Sequence, residues 1–228
     1  MRTSSKATTA GRLLAAAITM AAAPAFAAEP ASINRRSSDV PIGVADWTAS
    51  LESGVEWYAT SRDKHKAGDY ADTYVAPSLA YALAPDWTLS GLFQATFYKD
   101  GTQQYEAEAG IAYTIRLGAL ALSPQAAIGD TWDATGLGES GKANAVYYAL
   151  YLSADLTLNK QWSWTLFNAR WRDAFAYQWQ TPALSTGINY AVSDAVGLSL
   201  DAGYSWLDKG DGMHGNEMHL AAAMTYSF

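Results

Sequence analysis

The chain has no cysteine. That removes a disulfide framework, a thiolate nucleophile and any Cys-based zinc or iron site. Charge is also scarce, at 16% of 228 residues, where a soluble domain carries roughly a quarter. Part of this surface therefore faces something other than water. Basic residues number 15 against 22 acidic ones, a net charge of −7, which excludes the electropositive footprint of a nucleic-acid binder. The three histidines are too far apart for a zinc signature, and there is no GxGxxG or Walker loop. Disorder is excluded as well, because half the residues are hydrophobic and 13% are aromatic.

The first residues read as an export signal. Arg2, Lys6 and Arg12 form a positive region, Leu13 to Ala23 an apolar stretch short of a membrane span, and Ala25-Phe26-Ala27 a small-x-small cleavage site. Residues 1–27 are expected to be removed. The remainder keeps 12 basic residues against 22 acidic, for −10. Residues 28–46, with Arg35-Arg36-Ser37-Ser38 and Pro41, lack any strand rhythm and are expected to form a periplasmic lead-in, an inserted plug being the alternative.

From about Thr48 onward the dominant signal is period-2 alternation, the mark of strands with two unlike faces. Ala49, Leu51, Val55 and Trp57 oppose Ser50, Glu52, Gly54 and Glu56. The same rhythm returns around Thr73–Tyr81, Trp87–Phe97, Tyr105–Ile115, Leu120–Gly129, Val146–Leu156, Trp162–Leu166, Pro182–Val192, Val196–Trp206 and Glu217–Phe228. The seventh segment loses clean alternation near Asn168 to Arg172. Long polar links near 61–69, 99–104, 130–142, 172–181 and 208–216 alternate with short turns near 84–86, 118–119, 158–160 and 193–194. Long links on one side and short ones on the other are the asymmetry of a transmembrane β-barrel. The expectation is an all-β, closed antiparallel barrel over 47–228 with ten strands, eight or twelve being the alternatives.

A secreted β-sandwich or lipocalin-like barrel also alternates, but its polar face meets bulk water and should be charged. Here that face is mostly Ser, Thr, Gly, Ala and Tyr, with the apolar face fit for lipid. Aromatics sit near strand ends, as expected at the two lipid–water boundaries. Trp57 and Trp206 lie beside long links; Trp87, Tyr113, Trp162 and Phe228 lie beside short turns or the last residue.

The final stretch, Leu220, Ala222, Met224, Tyr226 and Phe228, resembles the terminal assembly signal of the Gram-negative outer-membrane β-barrel superfamily, small porin-like proteins among them. The resemblance implies insertion into the outer membrane by the barrel-assembly machinery, with membrane lipids and lipopolysaccharide as partners.

On the inward face the register places Glu52, Glu56, Glu106, Glu108, Asp155, Asp201, Glu217 and His219, with Arg116 as the clearest basic partner and Arg170 and Arg172 as further ones. The first, ninth and tenth segments become neighbours on closure, so Glu52, Glu56, Asp201 and Glu217 form a negative strip that favours cations. Small inward residues such as Gly110, Gly187, Gly197 and Gly203 suggest an interior that long side chains do not fill. The expected role is a narrow passage for small polar solutes or ions, with a closed structural or adhesion barrel as the alternative. His219 beside Glu217, with Ser199 or Ser205 across strands, has the residue types of a hydrolytic cluster but no matching motif. The loop residues Asp208, Asp211 and His214 form no calcium or zinc spacing. No catalytic residue, metal or cofactor is assigned.

Overall fold

The computed structural model describes residues 47–61, 65–133, 145–210 and 212–228. The export signal, the lead-in, residues 134–144 and Asp211 lie outside the described residues. The strands are β1 (Trp47–Tyr58), β2 (Tyr70–Ala84), β3 (Trp87–Tyr98), β4 (Gln103–Tyr113), β5 (Ile115–Leu117), β6 (Leu120–Asp133), β7 (Ala145–Thr157), β8 (Trp162–Ala174), β9 (Ala183–Ala191), β10 (Val196–Leu207) and β11 (His214–Ser227).

Each strand pairs antiparallel with its sequence neighbour, and β1 pairs with β11 to close the ring. The seam starts with reciprocal backbone bonds between Trp47 and Phe228, at 3.2 and 3.0 Å. β5 continues β4 beyond Thr114 in the same register against β6. The result is a ten-stranded closed barrel with one extra short strand. Closure leaves no sheet edge, which is what permits a β-sheet to sit in hydrocarbon. At the β5–β6 hairpin Gly118 takes a φ of 66°, the left-handed geometry that a two-residue hairpin loop demands.

The two faces separate by chemistry. Leu89, Phe93, Ile128, Leu150, Leu200 and Leu220 point outward and are exposed. An apolar belt of that extent is not tolerated in water but is the solvated face in lipid. Near the short turns the belt ends in cross-strand ring pairs, Trp47–Tyr81 at 4.8 Å, Trp87–Tyr113 at 4.9 Å and Trp162–Tyr190 at 4.7 Å between centroids. The interior carries the polar residues. Ser50, Asp72, Glu108, Ser123, Asp155, Thr165, Arg172 and Thr225 are all buried.

The broken alternation of the seventh segment has a physical cause. β8 carries a β-bulge at Leu166-Phe167: Thr165 pairs with Asp155 and Gly187, and pairing resumes with Phe167 against Ala154 on β7 and with Asn168 against Ser185 on β9. A bulge inserts an extra residue and so inverts the parity of everything after it. Ser163 and Thr165 face inward before it; Asn168, Arg170 and Arg172 face inward after it. On the outer wall the Thr186 hydroxyl donates to the Thr165 carbonyl at 2.7 Å and receives the Trp164 indole N–H at 3.0 Å, satisfying backbone that the bulge takes out of the ladder.

Candidate functional site

The lumen wall is built on pairs of glycine and ring. Gly54 pairs directly with Tyr74, Gly129 with Tyr147 and Gly203 with His219. A Cβ at any of the three would run into the facing ring. These glycines are therefore seats on which rings lie flat against the wall, a device also known to brace sheets where glycine leaves a gap. The vacancy suggested by small residues is partly filled in this way. Each seated ring also holds a carboxylate. The Tyr74 hydroxyl donates to Glu52 at 2.6 Å, Tyr147 donates to Glu108 at 3.0 Å, and His219 Nε2 lies 2.7 Å from Asp201. Tyr151 gives Glu108 a further bond at 2.8 Å.

Around these seats the charges fall into two groups. On β1, β2, β10 and β11 stand Glu52, Glu56, Asp72, Asp201, Glu217 and His219. Within this group, Glu56, Asp72 and Glu217 have carboxylate oxygens within 4.8 Å of one another. Among the described residues, these three have hard oxygen ligands close enough to share a cation. On β4, β7 and β8 stand Glu106, Glu108, Tyr147, Tyr151, Arg170 and Arg172. Arg172 forms an ion pair with Glu106, crossing from β8 over β7 and β6 to β4, three strand steps or about 14 Å of wall. Arg170 lies between the groups: its charge acts on Glu56, Glu106 and Glu217, while its Nε is buried without a hydrogen-bond partner. A cavity of about 30 Å³ lined in part by Ser78, Ser90, Glu108, Gln125 and Tyr151 has room for one or two waters.

The structure brings Glu52, Glu56, Asp201, Glu217 and His219 together across β1, β10 and β11. The partner of His219 is Asp201 across the strand pair, whereas Glu217 receives a bond from Asn216 at 2.6 Å. Glu106 and Glu108 lie on the opposite wall. Asp155 is held apart from both groups by Thr165, which donates to it at 2.6 Å. Arg116 is on β5, where it forms an ion pair with Asp86 of the β2–β3 turn, both half-exposed at the short-turn end. Trp87, Tyr113, Trp162 and Phe228 are exposed on the outer wall; Trp57 and Trp206 are half-buried near the long-link end, Trp206 with its ring 4.7 Å from that of Tyr204.

Three participants escaped the sequence reading. Asp72 precedes the point at which alternation becomes clear in β2. Tyr147 was visible as inward but not as a ring needing Gly129. Trp179 belongs to the link between β8 and β9, where no periodicity assigns a direction; it lies over Tyr147 with ring centroids 5.9 Å apart.

No protein-family model and no curated protein matches the sequence. Solved structures do resemble it. An outer membrane channel from Pseudomonas putida F1 superposes with a TM-score of 0.54 at 12% identity, over 86% of this chain and 100% of that one. The β domain of the Bordetella autotransporter BrkA superposes with a TM-score of 0.52 at 14% identity, over 81% of this chain and 100% of that one. At such identities the likeness is one of fold, and with the closed ring, the apolar outer wall and the polar interior it makes this chain a β-barrel of the outer-membrane type.

Proposed function

We propose that the protein is a narrow outer-membrane channel that passes small cations and small polar solutes. The observation that carries the reading is the balance of charge on the inward face. Eight carboxylates, Glu52, Glu56, Asp72, Glu106, Glu108, Asp155, Asp201 and Glu217, stand against Arg170, Arg172 and His219. A low-dielectric wall focuses that excess into the bore and raises the local concentration of cations. In this reading residues 1–27 direct export, the short turns face the periplasm, the barrel-assembly machinery inserts the chain, and the aromatic ends of the strands meet lipid and lipopolysaccharide.

The test is a planar-bilayer recording of the refolded protein under a KCl gradient. Discrete steps whose reversal potential has the sign of cation preference are expected. Anion preference would overturn the charge argument. The Arg172–Glu106 brace favours a second reading, a closed barrel that acts through its long loops, and the absence of any steps under verified insertion would decide for that alternative.

A further inference from the structure

Besides the backbone bonds from Phe175 to Val146 at 3.0 Å and from Thr181 to Arg172 at 2.8 Å, three ties hold the link between β8 and β9 inward. On its outer side the Trp179 backbone N–H donates to Asp173 at 3.3 Å and the Gln180 amide to the same carboxylate at 3.2 Å. Along its edge Gln180 and Asp208 exchange two backbone bonds, each of 2.9 Å. The third tie reaches into the bore. The Arg172 guanidinium lies 4.9 Å from the ring centres of both Tyr147 and Trp179. Its Nε–H donates to the Thr181 hydroxyl at 2.9 Å, and its Nη1 takes the Glu106 ion pair.

The surroundings of this contact differ on its two sides. Tyr147 is fully buried and seated on Gly129, so the inner ring is fixed. Trp179 is only half-buried, and its link neighbours Ala176, Tyr177 and Gln178 are exposed. A segment with few buried apolar contacts belongs to the low-stability end of a fold and opens locally at small cost. The guanidinium is thus clasped by one immovable ring and one that its loop can withdraw.

Resting on the channel reading above, we propose that Arg172 and Trp179 form a latch that holds the β8–β9 link over the long-link mouth of the bore and so sets the fraction of time the channel is closed. With the latch made, Trp179 covers Tyr147 and the brace to Glu106 spans the wall from β8 to β4. With Trp179 withdrawn, Arg172 loses one ring face and the mouth beside the acidic wall of β1, β2 and β11 is uncovered.

Single-channel recordings of the wild type, Trp179→Ala, Arg172→Gln and the double variant test this, each protein first checked for barrel folding by its heat-modifiable gel mobility. Trp179→Ala is expected to raise the ratio of open to closed time about fivefold, the factor that one cation–π contact carries. Arg172→Gln is expected to raise it further, and the double variant no more than Arg172→Gln alone, because Trp179 acts through Arg172. A silent wild type with conducting variants also supports the latch. If the wild type conducts and neither variant changes its open time, the latch is wrong and the channel stands. If all four proteins are folded and silent, both are wrong. Since Trp179 lies in a link rather than a strand, its variant remains informative should Arg172→Gln fail to fold.

Discussion

Deleting Leu166 together with Phe167 from β8 is the perturbation that most directly probes how the interior acquires its positive charge. The bulge sets Leu166 and Phe167 against one partner. Loss of Leu166 alone would leave Thr165, Asn168, Arg170 and Arg172 with their inward parity, but loss of both residues makes Asn168 follow Thr165 directly, so one half must invert relative to the other. If the half after the bulge inverts, Asn168, Arg170 and Arg172 turn to the lipid. A strand of 13 residues rising about 3.3 Å per residue at a tilt near 40° covers about 33 Å of height, against an apolar band of about 25 Å. Arg170, four residues from the end of the strand, then lies about 6 Å inside the band and Arg172 near its edge. Lipid exposure of arginine costs about 2–4 kcal/mol at the midplane and about 0–1 at the boundary, so the two together add about 1–4 kcal/mol. Glu106, deprived of its counter-ion, adds to that. If instead the half before the bulge inverts, Trp162 and Trp164 enter the bore and the Thr165–Asp155 bond is lost. Either way the expected destabilisation is about 4 kcal/mol or more. Reversible urea unfolding in lipid vesicles, followed by tryptophan fluorescence, measures it. Deletion of Ala176 from the β8–β9 link is the control, with an expected cost under about 1 kcal/mol. A variant lacking both Leu166 and Phe167 yet within about 1 kcal/mol of the wild type would refute the assignment of the bulge as the device that places both arginines.

Gly129→Ala sets a methyl group against the Tyr147 ring and 2.8 Å from the Ala107 carbonyl oxygen; a loss of about 1–3 kcal/mol is expected in the same unfolding assay, the usual range for overpacking, and an unchanged midpoint would show that the ring is not seated there. Glu56→Gln with Glu217→Gln removes two of the three clustered carboxylates, and the reversal potential under a salt gradient is expected to move toward zero, whereas an unmoved value would place selectivity elsewhere in the bore. Arg116→Ala breaks a half-exposed pair at the turn end, so stability should change by less than about 1 kcal/mol and selectivity not at all; a changed reversal potential would show that Arg116 acts on the permeation path.

The fold was legible because its determinants are local and repeated. Alternation such as Ala49, Leu51, Val55 and Trp57 against Ser50, Glu52, Gly54 and Glu56 recurs at every strand, and each repeat carries the same information about which face meets lipid. The paired strands and the order of long and short links follow from that rhythm. The interior was less legible because its determinants are single events. One extra residue at Leu166-Phe167 decides where two arginines point, and the segment shows this only as a lapse in rhythm. Gly203 looked like space, since sequence alone does not say that the residue across the strand pair is His219. Arg116 had the right parity for the bore, yet β5 ends at a tight hairpin and Asp86 lies within its reach. Trp179 sits in a link, where parity has no meaning.

The same particulars explain how so acidic an interior holds together. Like charges at short range oppose folding unless each finds a donor or a counter-charge. Glu52, Glu108 and Asp201 are each held by a ring on a glycine or beside one, Asp155 by Thr165, and Glu106 by Arg172. Each of these carboxylates is tied to a partner within the wall, Glu106 and Asp201 to a basic one. The trio Glu56, Asp72 and Glu217 is different in that its members stand beside one another, Glu217 also accepting a bond from Asn216. The carboxylates that crowd most closely therefore lie on the β1, β2 and β11 wall, away from the Arg172 brace. In the channel proposed above, that wall is where a cation would be drawn, beside the mouth that the Arg172–Trp179 latch covers.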